Sequence, residues 1–148
     1  MSMHSDIQTA LELARPVDPL SIPALTLAYL GDTVYDLYVR TCLAETLHLK
    51  VHALHLEAAK LVCAKGQAQA FRRIEPHLSG EEQAAYRRGR NAHSGTVPKN
   101  ADVRDYRVAT GLEALLGHLY VKGEDARIGA LMRLAIPDQE ENGKESDL

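Results

Sequence analysis

Two carboxylates stand inside stretches of sequence that are otherwise apolar. Asp32 lies within ALTLAYLGDTVYDLYV and Glu113 lies within VATGLEALLGHLYV. Neither has a Lys or Arg three or four positions away to neutralise it. A carboxylate on a buried helix face costs several kcal/mol unless it is paired, protonated or bound to a cation. The chemistry that these residues could perform is therefore the binding of a divalent ion through oxygen ligands, which Mg²⁺ and Mn²⁺ prefer.

Glycines accompany both carboxylates. Gly31 precedes Asp32, and Gly111 and Gly117 flank Glu113. Each glycine lowers helix propensity by about 1 kcal/mol relative to alanine, which favours a role in close helix crossing. If the two helices cross at their glycines, the two acids face one cation although they are 81 positions apart. The alternative is that each acid faces solvent or marks a break in its helix, and the pattern alone leaves both open.

The elements that must position these residues are predicted to be helices, because sustained period-2 alternation is nearly absent. Ser21 is expected to cap the long helix that contains Asp32, Ser79 to begin another through a capping box, and Asp102 to cap the helix that contains Glu113. Apolar spacing, caps and prolines together predict an all-α domain of six to seven helices, over residues 7–14, 22–44, 51–63, 67–74, 80–90, 103–121 and 125–135.

Composition excludes several classes of protein. The chain has 148 residues, 45% of them hydrophobic, which suffices for one core without disulfide or metal staples. No apolar stretch approaches the ~20 residues of a membrane span, and the amino terminus lacks the features of an export signal, so we expect a cytoplasmic protein. Cys42 and Cys63 lack zinc-ligand spacing and are expected to be reduced thiols in the core.

Charge is distributed unevenly along the chain. The net charge is −3, but the segment from Tyr86 to Arg107 carries six basic residues against two acids. We call residues 86–107 the basic segment; it is either a footprint for phosphate or a solvated charged face. Residues 137–148 carry five acids against one lysine and are expected to be a disordered tail. The predicted divisions are an N-terminal extension with a short helix (1–20), one folded domain (21–136) and this tail.

Three motifs of this sequence resemble motifs of the ribonuclease III family, and they follow one another along the chain in the order that the family has. LAYLGDTVYDLYVR (27–40) is similar to the signature helix of its endonuclease domain, and LEALLGHLY (112–120) to its second acidic helix. RRGRNAHSGTVPKNADVRDYR (87–107) resembles the Mini-ribonuclease III subfamily in particular, which lacks a double-stranded-RNA-binding domain. The resemblance covers about residues 22–136.

The resemblance implies an all-helical homodimer with a groove for double-stranded RNA. It also implies Mg²⁺-dependent hydrolysis, with Mn²⁺ as a substitute, that leaves 5′-phosphate and 3′-hydroxyl ends. The subfamily is associated with maturation of precursor 23S ribosomal RNA, in which ribosomal proteins could present the substrate. Asp32 and Glu113 match the family's catalytic metal ligands. Ala28 and Thr110 stand where full-length members usually carry two further acids, so the number of ions stays open.

Duplex RNA is recognised mainly through its shape, phosphates and 2′-hydroxyls. We expect arginines and lysines of this chain to contact phosphates and asparagines to reach 2′-hydroxyls; the candidates are Arg88, Arg90, Asn91, Lys99, Asn100 and, outside the basic segment, Lys65. The roles of Asp36, one helical turn after Asp32, and of His118 stay open.

Two other functions compete with cleavage. A protein of the same fold could bind structured RNA in ribosome assembly without cutting it, which Ala28 and Thr110 would favour and the retained Asp32 and Glu113 oppose. A helical protein-interaction module is the other alternative. Tyr35, Tyr38 and the apolar residues of 25–39 belong either to the core or to a dimer interface.

Overall fold

The computed structural model describes residues 6–92, 97, 99 and 102–138. These residues form seven α-helices and two 3₁₀ turns with no strand among them, which confirms the predicted all-α fold. The turns are Pro19–Ser21 and Glu75–His77. The helices are α1 Asp6–Ala10, α2 Ala24–Thr46, α3 Val51–Val62, α4 Ala64–Ile74, α5 Gly80–Asn91, α6 Val103–Lys122 and α7 Asp125–Ala135.

The central helix is α6, which packs against α2, α4 and α5 and is buried along most of its length. Leu112, Leu115, Leu116 and Leu119 recur at three- and four-residue spacing and fill the main core. Because α6 is largely buried from Ala109 onward, a polar side chain in the middle of this helix lies close to a neighbouring helix.

Side chains cap α5 and α6 as the sequence predicts. Ser79 Oγ accepts from Glu82 N at 3.1 Å while Glu82 Oε1 accepts from Ser79 N at 2.8 Å, which completes the capping box. Asp102 Oδ1 accepts from Arg104 N at 2.8 Å, and Gly123, with φ 79°, ends α6 in the left-handed region. These local bonds fix where the two helices begin and end.

The start of α2 differs from the prediction that Ser21 caps it. The Ser21 hydroxyl donates to the Asp18 carbonyl at 2.6 Å, inside a 3₁₀ turn that Asp18 caps. The helix begins only at Ala24, after an extended Pro23, and has no side-chain cap. The prediction was wrong because the hydroxyl of Ser21 bonds to the backbone before it, not to the helix after it.

The N-terminal helix α1 is shorter than predicted. It ends at Ala10, where Leu13 N donates to Gln8 O at 2.8 Å and Glu12 takes a positive φ of 57°. A hydrogen bond to the carbonyl five residues earlier, next to a residue with positive φ, is the pattern that ends a helix at its C-terminus.

Several predictions concern residues of which nothing is described. These are residues 139–148, which form most of the predicted tail, residues 1–5 of the predicted N-terminal extension, and residues 93–96, 98, 100 and 101 of the basic segment. The three predicted divisions of the chain therefore stay a prediction. Within the described ranges, no helix is long and apolar enough to cross a membrane.

The prediction that both cysteines are core residues was wrong. Cys42 is only partly buried, and Cys63 is exposed. Cys63 lies between α3 and α4, where its Sγ accepts from Gly66 N at 3.4 Å and caps α4.

Candidate metal centre and RNA-binding surface

Helices α2 and α6 cross in backbone contact at two glycines. A Cβ added to Gly31 would overlap the backbone carbonyl of Glu113, and a Cβ added to Gly117 would overlap that of Leu27. Of the two alternatives that the sequence left open, the structure has the close crossing at the glycines. Gly111 packs against α5 instead, because the space beside it holds the ring of Tyr86.

This crossing brings the side chains of Asp32 and Glu113 together. The Asp32 side chain is exposed, whereas Glu113 is half-buried between the helices. The pKa of Glu113 is raised from 4.5 to about 8, chiefly by burial and in addition by the hydrogen bond with Asp32 and the negative charge of Asp32. In the absence of a cation, Glu113 therefore keeps its proton to a higher pH than a free carboxyl group does.

The residues present fit a divalent ion that needs few protein ligands. Within the described ranges, no third His, Cys, Asp or Glu joins the pair. Ala28 is buried, and the Thr110 hydroxyl donates to the Tyr106 carbonyl at 3.0 Å, so neither replaces a missing acid. Mg²⁺ commonly binds through one or two carboxylates and keeps several waters. The pair therefore suits a hard divalent cation that keeps several of its waters.

Gln67 of α4 is part of this site, and the sequence reasoning missed it. The side chain is 4% exposed, its Nε2 donates to the Val62 carbonyl at 3.0 Å, and it also hydrogen-bonds the Glu113 carboxylate. One signal was available: Gln67 shares a helical face with Phe71 and Ile74, which are core residues.

Neither Asp36 nor His118 is bonded to the carboxylate pair. Asp36 Oδ1 accepts from Arg40 Nε at 3.0 Å in an exposed ion pair on α2. His118 is 2% exposed, and its Nε2 lies 3.0 Å from Oε1 of Glu81 on α5, which also accepts from Lys122. His118 thus joins α5 to α6.

Arginines from the basic segment line a concavity of about 590 Å³ between the end of α5 and the start of α6. Arg90, Arg104 and Arg107 contribute to it together with Tyr86 and Asn91. The Arg90 guanidinium lies 5.7 Å from the centre of the Tyr86 ring, and its Nε donates to Asn91 Oδ1 at 3.2 Å. The sequence reasoning named Arg90 and Asn91 but did not single out Arg104 or Arg107.

The other predicted RNA contacts have different surroundings. Arg88 is half-buried and its Nη2 donates to the Ile22 carbonyl at 3.2 Å, so this arginine fixes the chain before α2. Lys65 and Lys99 are exposed. Asn100 lies outside the described residues.

The raised pKa of Glu113 predicts a pH-dependent stability. In metal-free protein the folded state keeps this proton to about pH 8, whereas the unfolded carboxyl loses it near pH 4.5. The folded state binds more protons in this interval, so its stability falls as pH rises from about 4.5 to 8. Glu113→Gln removes the effect. Because one pKa unit is worth about 1.4 kcal/mol, the variant should gain at least about 1 kcal/mol over wild type at pH 8.5 in EDTA, and little at pH 5.

Urea unfolding at the two pH values measures this difference. Glu45→Gln, an exposed position on the same helix as Asp32, is the control and should follow wild type at both pH values. An equal gain for Glu113→Gln at pH 5 and pH 8.5 would mean that ionisation of Glu113 does not cause it.

An all-helical domain with a carboxylate pair at the crossing of two glycine-bearing helices is the architecture of a metal-dependent nuclease of the ribonuclease III class. The ribonuclease III domain family matches residues 25–124, which include both carboxylates. Mini-ribonuclease 3 of Thermoanaerobacter sp. (strain X514) is 45% identical over 130 residues, 88% of this chain and 92% of that protein. Mini-ribonuclease 3 of Symbiobacterium thermophilum is 42% identical, over 82% of this chain and 93% of that protein.

A solved structure has a similar fold. A crystal structure of a Fusobacterium nucleatum protein superposes with a TM-score of 0.69 at 25% identity, over 84% of this chain and 93% of that one. The chain belongs to the ribonuclease III family, in its Mini-ribonuclease 3 branch. It is accordingly an endoribonuclease for double-stranded RNA that depends on a divalent cation, and the non-cleaving alternative is not favoured.

Proposed function

We propose that this protein matures precursor 23S ribosomal RNA in the cytoplasm by Mg²⁺-dependent cleavage of a duplex, leaving 5′-phosphate and 3′-hydroxyl ends. Mn²⁺ would substitute for Mg²⁺, and ribosomal proteins are candidate accessory partners. The observation that carries the proposal is the meeting of the Asp32 and Glu113 side chains at the α2/α6 crossing. Its other support is the similarity to Mini-ribonuclease 3 proteins along most of the chain.

In this mechanism the two carboxylates are the metal ligands. A bound divalent ion supplies an activated water and neutralises charge on the phosphoryl oxygens. Glu113 must be ionised to act as a ligand, so it gives up the proton that burial favours. The backbone contact at Gly31 and Gly117 fixes the separation of the two helices and therefore of the two ligands.

The concavity lined by Arg90, Arg104 and Arg107 is the surface that we propose for the RNA backbone. Three guanidinium groups at one surface favour phosphate, which they can bind bidentately. Further proposed contacts are Asn91, which also lines the concavity, the exposed Lys99, Lys65 on α4, and Asn100. Arg88 contributes less, because its guanidinium already donates to Ile22.

Arg90→Ala should weaken RNA binding in a salt-dependent way. Removing one phosphate contact lowers affinity several-fold at low salt and reduces the slope of log K against log salt by about 1. Fluorescence anisotropy with labelled duplex RNA, in a cleavage-deficient Asp32→Asn background, measures this slope. Arg133→Ala, an exposed arginine on α7, is the matched control. An unchanged slope for Arg90→Ala would count against the contact.

We propose that the protein is a homodimer, with exposed apolar residues of α2 at the interface. Tyr29 is 78% exposed, and Leu25 and Leu37 are also exposed. Tyr35 is instead a core residue whose hydroxyl donates to the Leu61 carbonyl at 2.6 Å, and Tyr38 packs against that core.

Sedimentation at micromolar concentration tests the dimer. Wild type is expected to be dimeric and Tyr29→Glu monomeric, because the variant would bury an unpaired charge. Leu134→Glu, at an exposed apolar position on α7, should leave the dimer intact. A monomeric wild type would refute the proposal.

The function itself is tested on a denaturing gel with end-labelled duplex RNA and with a 23S precursor fragment. Cleavage of both should require Mg²⁺ and stop in EDTA, and ligation to the new ends should show 5′-phosphate and 3′-hydroxyl groups. Binding without cleavage of either RNA would favour the non-cleaving alternative.

A further inference from the structure

The amide of Gln67 is held rigidly at the corner between α3 and α4. Its Nε2 donates to the Val62 carbonyl at 3.0 Å and its backbone N donates to the Cys63 carbonyl at 2.9 Å. The preceding Gly66 lies so close to the Lys60 and Leu61 carbonyls that a Cβ there would overlap them. This corner also contacts α2, because the Tyr35 hydroxyl donates to the Leu61 carbonyl.

The bond to Val62 determines which end of the amide can meet Glu113. An inverted amide would place its oxygen against the Val62 carbonyl oxygen, which has no proton to donate. The nitrogen carries two protons, of which one goes to Val62. The second is available for the Glu113 carboxylate, which the same side chain contacts.

We propose that Gln67 is a positioning residue for the metal centre: its amide donates to the Glu113 carboxylate and orients that carboxylate toward Asp32 for divalent-ion binding. A carboxylate ligand that is itself hydrogen-bonded keeps one orientation, and loss of such a partner typically costs 10- to 100-fold in metal affinity or activity. This inference rests on the proposed metal role of Asp32 and Glu113.

The test uses Gln67→Met and Gln67→Leu, which fill the space but cannot donate. Each variant is expected to bind Mn²⁺ about 10- to 100-fold more weakly, by electron paramagnetic resonance titration without RNA. The Mg²⁺ concentration for half-maximal cleavage should rise by a similar factor, while KM for RNA stays unchanged. Thermal unfolding followed by circular dichroism shows whether each variant folds. If one variant does not fold, the other still tests the proposal.

Gln83 provides a matched control. Its Nε2 donates to the Leu78 carbonyl at 3.3 Å, the same five-residue reach back to the turn before a helix. Gln83→Leu should lose that bond and leave Mn²⁺ affinity unchanged. If Gln67 only held the corner through Val62, its variants would lower the melting temperature and still bind Mn²⁺ within twofold of wild type, and the proposal would be overturned.

Failure of the proposed function would look different. Wild type that binds Mn²⁺ but cuts no RNA would overturn the cleavage proposal, while the Mn²⁺ titrations of the Gln67 variants would still decide this inference. Wild type that binds no Mn²⁺ at all would overturn both.

Discussion

Asp32→Asn is expected to reduce cleavage of duplex RNA by roughly a thousandfold or more while RNA binding and fold persist. The substitution keeps the size of the side chain and removes one of the two carboxylates that meet at the α2/α6 crossing. With Glu113 alone, the site offers a divalent ion one negative charge where it had two. The exposed position of Asp32 means that the amide is well solvated, so stability should change little.

Single-turnover cleavage at saturating protein measures this loss directly, and anisotropy measures binding by the same variant. Asp36→Asn is the matched control, since it makes the same change one helical turn away on α2, in a residue paired with Arg40. Its rate should stay within a few-fold of wild type. An equal loss in both variants would mean that the effect is not specific to the carboxylate that meets Glu113.

Gly31→Ala is expected to lower the free energy of unfolding by about 4 kcal/mol or more, a large part of the stability of an ordinary domain. The new Cβ would overlap the Glu113 carbonyl and would lie 2.8 Å from the Gly117 nitrogen. Both neighbours are backbone of α6, so no side chain can rotate away, and the two helices must move apart. Because Asp32 and Glu113 sit on these helices, Mg²⁺ affinity should fall together with stability.

Urea unfolding followed by circular dichroism measures the first effect. Gly129→Ala on α7 is the control, because its nearest neighbour is the far end of the Arg133 side chain at 3.3 Å. That variant should be neutral or more stable by up to about 1 kcal/mol, the usual gain in helix propensity. A Gly31→Ala protein with the wild-type unfolding midpoint would refute the close crossing.

Much of this fold could be predicted from the sequence because its determinants are local. The capping box at Ser79, the cap at Asp102 and the terminating Gly123 each act within a few residues. The meeting of Asp32 with Glu113 is a long-range contact that the sequence left as one of two alternatives. The glycines beside the two acids made it conceivable, because a missing side chain lets helices pack closely, but they could not decide it.

Other contacts could not be predicted, because a residue's type does not reveal its partner. Gln67 lies 46 positions before Glu113, and nothing in a polar side chain on α4 identifies that carboxylate. Arg88 stands among RNA-binding candidates by charge, but the fold turns it toward the Ile22 carbonyl, 66 positions away. Ser21 has the residue type of a cap and bonds backward to Asp18 instead.

The glycine contacts also limit how the enzyme could be engineered for use at high temperature. Replacing helical glycines by alanine is a common route to thermostability. This replacement is excluded at Gly31, Gly89 and Gly117, because an added methyl group would overlap a neighbouring helix. It remains possible at Gly80 and Gly129. Stabilisation of this nuclease by glycine replacement is therefore expected on α7 and at the start of α5, away from the helices that carry the carboxylates.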